Sequence, residues 1–318
     1  MTLNLTRPGK NILLAALFLQ LSFLSFSQTG KNLAEMLGYP KDSKLLIIHA
    51  DDMGLAQSVN SATIKAFREN GITSGRIMVP CPWAFEMADY IRKNPGLDVG
   101  IHLTLTSEWE LFKWDGVTSS DKIPSLLDGN GYFYPSVEAF GKAVRTEEAE
   151  KEILSQIERA IAWGIEPTHI DTHMGSVLAT PELSGIYLSL SKRYKLPVLF
   201  PKSYLQLLPP EIAKTLQSEP FLLDNLFMIE PEMIKGSWIE PYKKAIEEMK
   251  PGLNQIIVHI GYDNDELKAI TINHDDYGSA WRQKDLDVVL SNEFRELLKK
   301  NNIILIGWRQ IRELMRKM

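Results

Sequence analysis

An α/β fold is predicted, a (β/α) barrel of seven or eight parallel strands in a single domain. Three observations carry it. Short apolar runs alternate with amphipathic segments along the 318-residue chain, the order of a parallel sheet joined by helical crossovers. The runs are continuously apolar, as strands buried on both faces are. Histidines and carboxylates gather where several runs end, the rim at which such barrels build their sites.

The elements follow in order. Arg7 and Lys10 precede an apolar run from Ile12 to Phe26, and Ser25 and Ser27 supply small residues after it. That is the order of a secretory signal, with cleavage expected after Ser27. The run is short of the roughly 20 residues a spanning helix needs. The mature domain is then 28–318, an exported protein, periplasmic or secreted, with no stable membrane insertion after cleavage. Strand candidates are LLIIHA (45–50), RIMVP (76–80), DVGIHLTL (98–105), THIDT (168–172), PVLF (197–200), NLFMI (225–229), QIIVHI (255–260) and IILIGW (303–308). Helices are predicted between most of them. One runs over 58–71, with Ser58 as cap and Gly71 as stop. Others cover 146–164, 184–195, 239–252 and, as one piece, 285–302. Residues 106–135 are irregular and aromatic; an ordered loop of that length is usually functional, and it is expected over the mouth of the barrel.

Composition narrows the function. Net charge is −5 with both signs interspersed, which excludes the basic footprint of a nucleic-acid binder. Cys81 is the only cysteine, so no internal disulfide forms. VPCPW gives it no neighbouring base, and it reads as a buried structural thiol. A homodimer is compatible with this composition.

There are six histidines, and five of them fall in or at the ends of predicted strands. His49 and the pair Asp51 and Asp52 end the first. His102 lies in the third. His169, Asp171 and His173 occupy alternate positions of THIDTH, which places them on one strand face. His259 ends IIVH. Two adjacent carboxylates repel unless a cation lies beside them, and a divalent metal is the simplest candidate. Two imidazoles and one carboxylate form a facial set with open positions. Either Asp51 or Asp52 can complete that set. The loop NHDDYGSAWRQKD (273–285) offers substrate-binding candidates: Trp281 as a sugar platform or as a buried anchor, and Arg282 as a substrate ligand or a partner of Asp51. Trp109, Phe112 and Trp114 divide the same way between sugar platform and loop packing.

ADDMG (50–54), GIHLTLT (100–106), PTHIDTHMG (167–175) and IIVHIGY (256–262) together resemble the YdjC-like carbohydrate deacetylases, the family of the chitooligosaccharide deacetylases. The motifs occur in the family's order. The resemblance implies a barrel related to the polysaccharide deacetylases, one divalent metal ion (Mg²⁺ or Zn²⁺), and removal of acetyl groups from N-acetylated oligosaccharides. Carried over by motif, it implies Asp51 as general base, Asp52, His102 and His173 as metal ligands, and His259 as general acid. Two places depart from the pattern: Gly175 stands where many members have histidine, and Ile260 where many have proline.

The chemistry suits these residue types. Water has a pKa near 15.7 and an ordinary Asp one of about 3.9, whereas a bound cation lowers water to roughly 7–9. An imidazole titrates near neutrality and can protonate a leaving amine. Asp171 can either orient a neighbouring imidazole or accept a backbone N–H at the strand end. Two other readings compete: a metal-dependent esterase or phosphoesterase, and a carbohydrate-binding protein without turnover.

Overall fold

The computed structural model describes residues 30–208, 210–217 and 221–318; the predicted signal segment lies outside the described residues. Lys31–Met318 form one compact unit. Among the described residues seven parallel strands make one sheet: β1 (Lys44–Met53), β2 (Ser74–Ile77), β3 (Val99–Leu103), β4 (Ile170–Thr172), β5 (Asn225–Met228), β6 (Gly252–Val258) and β7 (Ile303–Leu305). Their order is β4-β3-β2-β1-β6-β5. One edge of β1 pairs with β6 from Lys44 to Ala50. The other edge is shared, with β7 against Lys44–Leu46 and β2 against His49–Met53.

The predicted strand at 197–200 closes the ring without becoming a strand. Ile170 N–H donates to Pro197 O and Leu199 N–H to Ile170 O, at 3.0 and 2.9 Å. On its other side Leu223 N–H donates to Phe200 O at 3.1 Å, and Lys202 N–H to Leu223 O at 2.9 Å. Pro197 and Pro201 bracket the run and have no N–H to give, which limits pairing to single bridges to Ile170 and Leu223.

Helices follow the strands, at Gln57–Arg68, Ala84–Lys93, Thr146–Ala162, Pro181–Tyr194, Ile239–Glu247 and Trp308–Lys317. The predicted helix over 285–302 is two helices, Ser279–Leu290 and Asn292–Lys300. Ser291 interrupts them, because its Oγ accepts from Phe294 N–H at 3.1 Å and caps the second.

Strand alternation sorts the core. In β1, Leu46, Ile48 and Ala50 pack outward with Ala62, Ala66 and Ile246 under the helices. Leu45 and Ile47 face the other way, with Leu223, Leu253 and Trp308. Leu45 to Ala50 are all at most 1% exposed. The inward series 45, 47 continues to His49 and Asp51. Along β1, apolar residues therefore line the lower half of the interior and polar residues the upper half.

Candidate metal centre and active site

At the carboxyl end of β1 simple alternation would turn Asp51 inward and Asp52 outward. A bulge prevents this. His49 and Ala50 pair with Ser74 and Gly75, but Met53 pairs with Ile77, one residue out of step. Asp52 takes up the extra residue with φ +64°, a left-handed conformation that costs a non-glycine residue about 1–3 kcal/mol. Both carboxylates thereby face the mouth.

Asp52, His102 and His173 converge there, all buried. Asp52 Oδ1 lies 3.5 Å from His102 Nε2 and 3.6 Å from His173 Nδ1, and the two nitrogens are 3.3 Å apart. Metal bonds of about 2.0–2.2 Å hold tetrahedrally arranged ligand atoms about 3.3–3.6 Å from one another. Asp52 Oδ1 is buried without a hydrogen-bond partner; its Oδ2 accepts from Arg282 Nη2 at 2.7 Å. The donor set thus fits one divalent cation.

Carboxylates behind the two rings fix their tautomers. His102 Nδ1–H donates to Asp171 Oδ1 at 2.7 Å, leaving Nε2 to face Asp52. His173 Nε2–H donates to Glu108 Oε2 at 2.9 Å, leaving Nδ1 to face the same point. Such partners orient metal-site histidines and raise their basicity. Replacing Glu108 by glutamine is expected to weaken metal affinity about 10–100-fold, measured by competition with a chromogenic chelator. Unchanged affinity would remove Glu108 from the site.

Charge is tightly balanced. Burial pushes the Asp52 carboxyl up, but the Arg282 guanidinium and the imidazoles of His102 and His173 beside it outweigh that and hold it well below the usual carboxylate range. Burial and Arg76 keep His102 well below its ordinary value, hence neutral. Burial also pulls His173 down, but Glu108 and Asp52 prevail and raise it to about 9 in the metal-free protein. The stabilisation from protonated His173 is complete below about 6.5 and is lost as pH climbs through about 9. An incoming cation must displace that proton, so metal affinity is expected to rise about tenfold per unit between pH 7 and 9 and then level off. Calorimetry in buffers of different ionisation enthalpy would count the proton released; a flat pH profile would contradict this.

Asp51 and His259 flank the triangle. Asp51 Oδ2 is ion-paired with Arg76 and lies 3.6 Å from His259 Nε2. Arg76 also pairs with Asp171, so one guanidinium ties Asp51 to the carboxylate behind His102. His259 stands just beyond β6, and its backbone N–H donates to Asp285 Oδ2 at 3.0 Å. Burial, with Arg282 and Arg76, lowers its ring to about 3 against the opposing pull of Asp52.

The structure thus gathers Asp51, Asp52, His102, His173 and His259. Trp281 is the buried anchor, 4% exposed, packed 4.7 Å from Trp238 and 4.6 Å from Tyr277, and so is not available as a sugar platform. Arg282 is 1% exposed and pairs with Asp52, so the expected partnership with Asp51 is corrected: Arg76 fills it. Trp109 and Trp114 are likewise buried. The long loop does reach over the mouth, through Glu108 on His173 and Trp109 against His274 at 5.1 Å. His173 lies one residue beyond β4, where Met174 and Gly175 turn through φ +52° and +73°. Around Gly175 the space a Cβ would enter is open. Cys81 is buried, and burial, with Glu108 and Asp52 nearby, raises its thiol well above the ordinary value, as an inert thiol requires. Two site residues escaped the sequence reading. Arg76, a lone cation in an apolar run, carried a signal; Glu108, in an irregular loop, carried none.

Fold and site together define a parallel α/β barrel with a buried Asp-His-His centre at its carboxyl rim. The chain belongs to the YdjC-like protein family, which matches residues 45–300. It is 33% identical over 279 residues to a carbohydrate deacetylase of Thermus thermophilus, covering 85% of this chain and 94% of that one. A carbohydrate deacetylase of Brevibacillus brevis is 37% identical over 156 residues, 49% of this chain and 59% of the relative. Among solved structures, a candidate cellobiose-phosphate cleavage protein from Enterococcus faecalis has the same fold, with TM-score 0.73 and 24% identity over 85% of this chain and 99% of that one.

Proposed function

We propose that the protein is an exported, metal-dependent hydrolase that removes acetyl groups from N-acetylated sugars or oligosaccharides of the chitooligosaccharide kind. The observation that carries this reading is the orphaned Asp52 Oδ1 facing His102 Nε2 and His173 Nδ1 at ligand spacing, with Asp51 beside it. The names of the curated relatives support the substrate class.

A divalent cation, Zn²⁺ or Mg²⁺, supplies Lewis acidity to the attacking water and to the acetyl carbonyl. Asp51 accepts the water's proton, held in place by Arg76. Asp171 and Glu108 keep the two imidazoles in the ligating tautomer. His259 is neutral before turnover, so it acts as an acid only after receiving a proton. Asp51, whose Oδ2 lies 3.6 Å from His259 Nε2, would supply it, and the leaving amine is the acceptor. The phosphoesterase reading is weaker here, since Arg76 and Arg282 are both paired with carboxylates.

Acetate release from N-acetylchitooligosaccharides, with and without a chelator, tests the proposal. Release that stops with the chelator and returns with added Zn²⁺ or Mg²⁺ supports it. No release, or release indifferent to chelation, rejects it.

A further inference from the structure

Below the metal centre the barrel holds titratable groups that the reaction above does not use. His49 and His169 meet edge to face with their Nε2 atoms 2.7 Å apart. His169 Nδ1 is 3.0 Å from Thr168 Oγ1, which is 2.7 Å from Asp98 Oδ1. At the upper end His49 Nδ1 is 3.4 Å from Asp51 Oδ1. All five side chains are buried. Asp98 immediately precedes β3 and Thr168 lies just before β4, so the chain of contacts runs from the amino rim of the barrel to its mouth. The fold keeps room for it: a Cβ on Gly100 would overlap the His169 ring, and Trp308 stacks on that ring at 5.3 Å.

Donor and acceptor follow by elimination. Thr168 has one hydroxyl proton, and Asp98, which also accepts from Ser74 Oγ and Arg309 N–H, takes it. Thr168 Oγ1 therefore accepts from His169 Nδ1–H. Burial holds both rings well below the ordinary imidazole value, so each carries a single N–H. His169 must then accept at Nε2, and His49 donates from its own Nε2–H. That leaves the His49 Nδ1 lone pair opposite Asp51 Oδ1, and neither atom has a hydrogen-bond partner.

We propose that Asp98, Thr168 and His169 are positioning residues that lock His49 as its Nε2–H tautomer, so that Asp51 faces a lone pair there instead of a donor. A donor at Oδ1 would occupy the one Asp51 oxygen that has no partner; a lone pair leaves it open to the attacking water, while Arg76 holds Oδ2. The kinetic part of this proposal rests on the deacetylase reading, and the tautomers do not.

Nitrogen-15 NMR of the side-chain imidazoles in the wild-type protein should show Nδ1–H for His169 and Nε2–H for His49. The opposite assignment overturns the proposal, whatever the substrate. Thr168→Val removes the hydroxyl and frees His169 to flip. It should lower kcat about tenfold, a fraction of what a general base contributes, with KM and metal stoichiometry unchanged. Thr168→Ser should restore kcat. Unaltered kcat in Thr168→Val, with the expected tautomers in the wild type, overturns the positioning role. If the wild type releases no acetate, the deacetylase reading fails, and the NMR result alone decides the lock.

Discussion

Asp51→Asn is expected to abolish turnover while leaving the metal bound. Asparagine keeps the shape of the side chain, and its carbonyl oxygen can still accept from Arg76, but it cannot take a proton from water. Loss of a general base lowers rates about 10²–10⁴-fold, a barrier increase of roughly 3–5 kcal/mol. The three candidate ligands are untouched, since none of their closest contacts runs through Asp51. Metal content by plasma emission spectroscopy should therefore match the wild type, while acetate release falls to background. Near-normal turnover in this variant would reject Asp51 as the base. Lost metal would mean that Asp51 is a ligand and that the two acids exchange roles.

Arg282→Met should produce the largest loss of stability, and the loss should depend on metal. In the metal-free protein Arg282 Nη2 is the nearest cationic partner of buried Asp52 Oδ2, at 2.7 Å. Removing one member of a buried pair typically costs about 3–5 kcal/mol, because the remaining charge is stranded. Methionine fills comparable space against Trp109 without the charge. A divalent cation at Asp52 Oδ1 restores a positive neighbour, so saturating metal should recover most of the deficit. Urea unfolding of both proteins at pH 7, with and without Zn²⁺, measures this. An equal deficit in both conditions would show that Arg282 acts by packing alone.

Much of this molecule was legible in its sequence because strand periodicity is a local property. The runs at 45–50, 98–105 and 255–260 overlap β1, β3 and β6, and the inward alternation of His169 and Asp171 follows from a period of two. The candidate ligands were legible because histidines and acids at strand ends are rare against an apolar background. What stayed hidden depended on tertiary contact. Nothing local distinguishes Glu108 from any loop acid; only the fold carries it to His173. Trp281 offered two roles, and the choice required knowing that Trp238 and Tyr277 enclose it. Arg282 was expected near the site, but which carboxylate it meets depends on the bulge at Asp52, which pattern alone does not reveal. The helix predicted over 285–302 overlooked the capping chemistry of Ser291.

The run between Pro197 and Pro201 leaves the ring with a seam. Everywhere else neighbouring strands share ladders of backbone hydrogen bonds; here they are held by isolated bridges. Native-state breathing should begin at this place, with the amides of Leu199 and Leu223 taking up deuterium ahead of those in β1 and β6. The proposed ligands belong to β1, β3 and the residue after β4, so a bound cation would slow exchange most in β1 and β3, away from the bridge between Pro201 and Leu223.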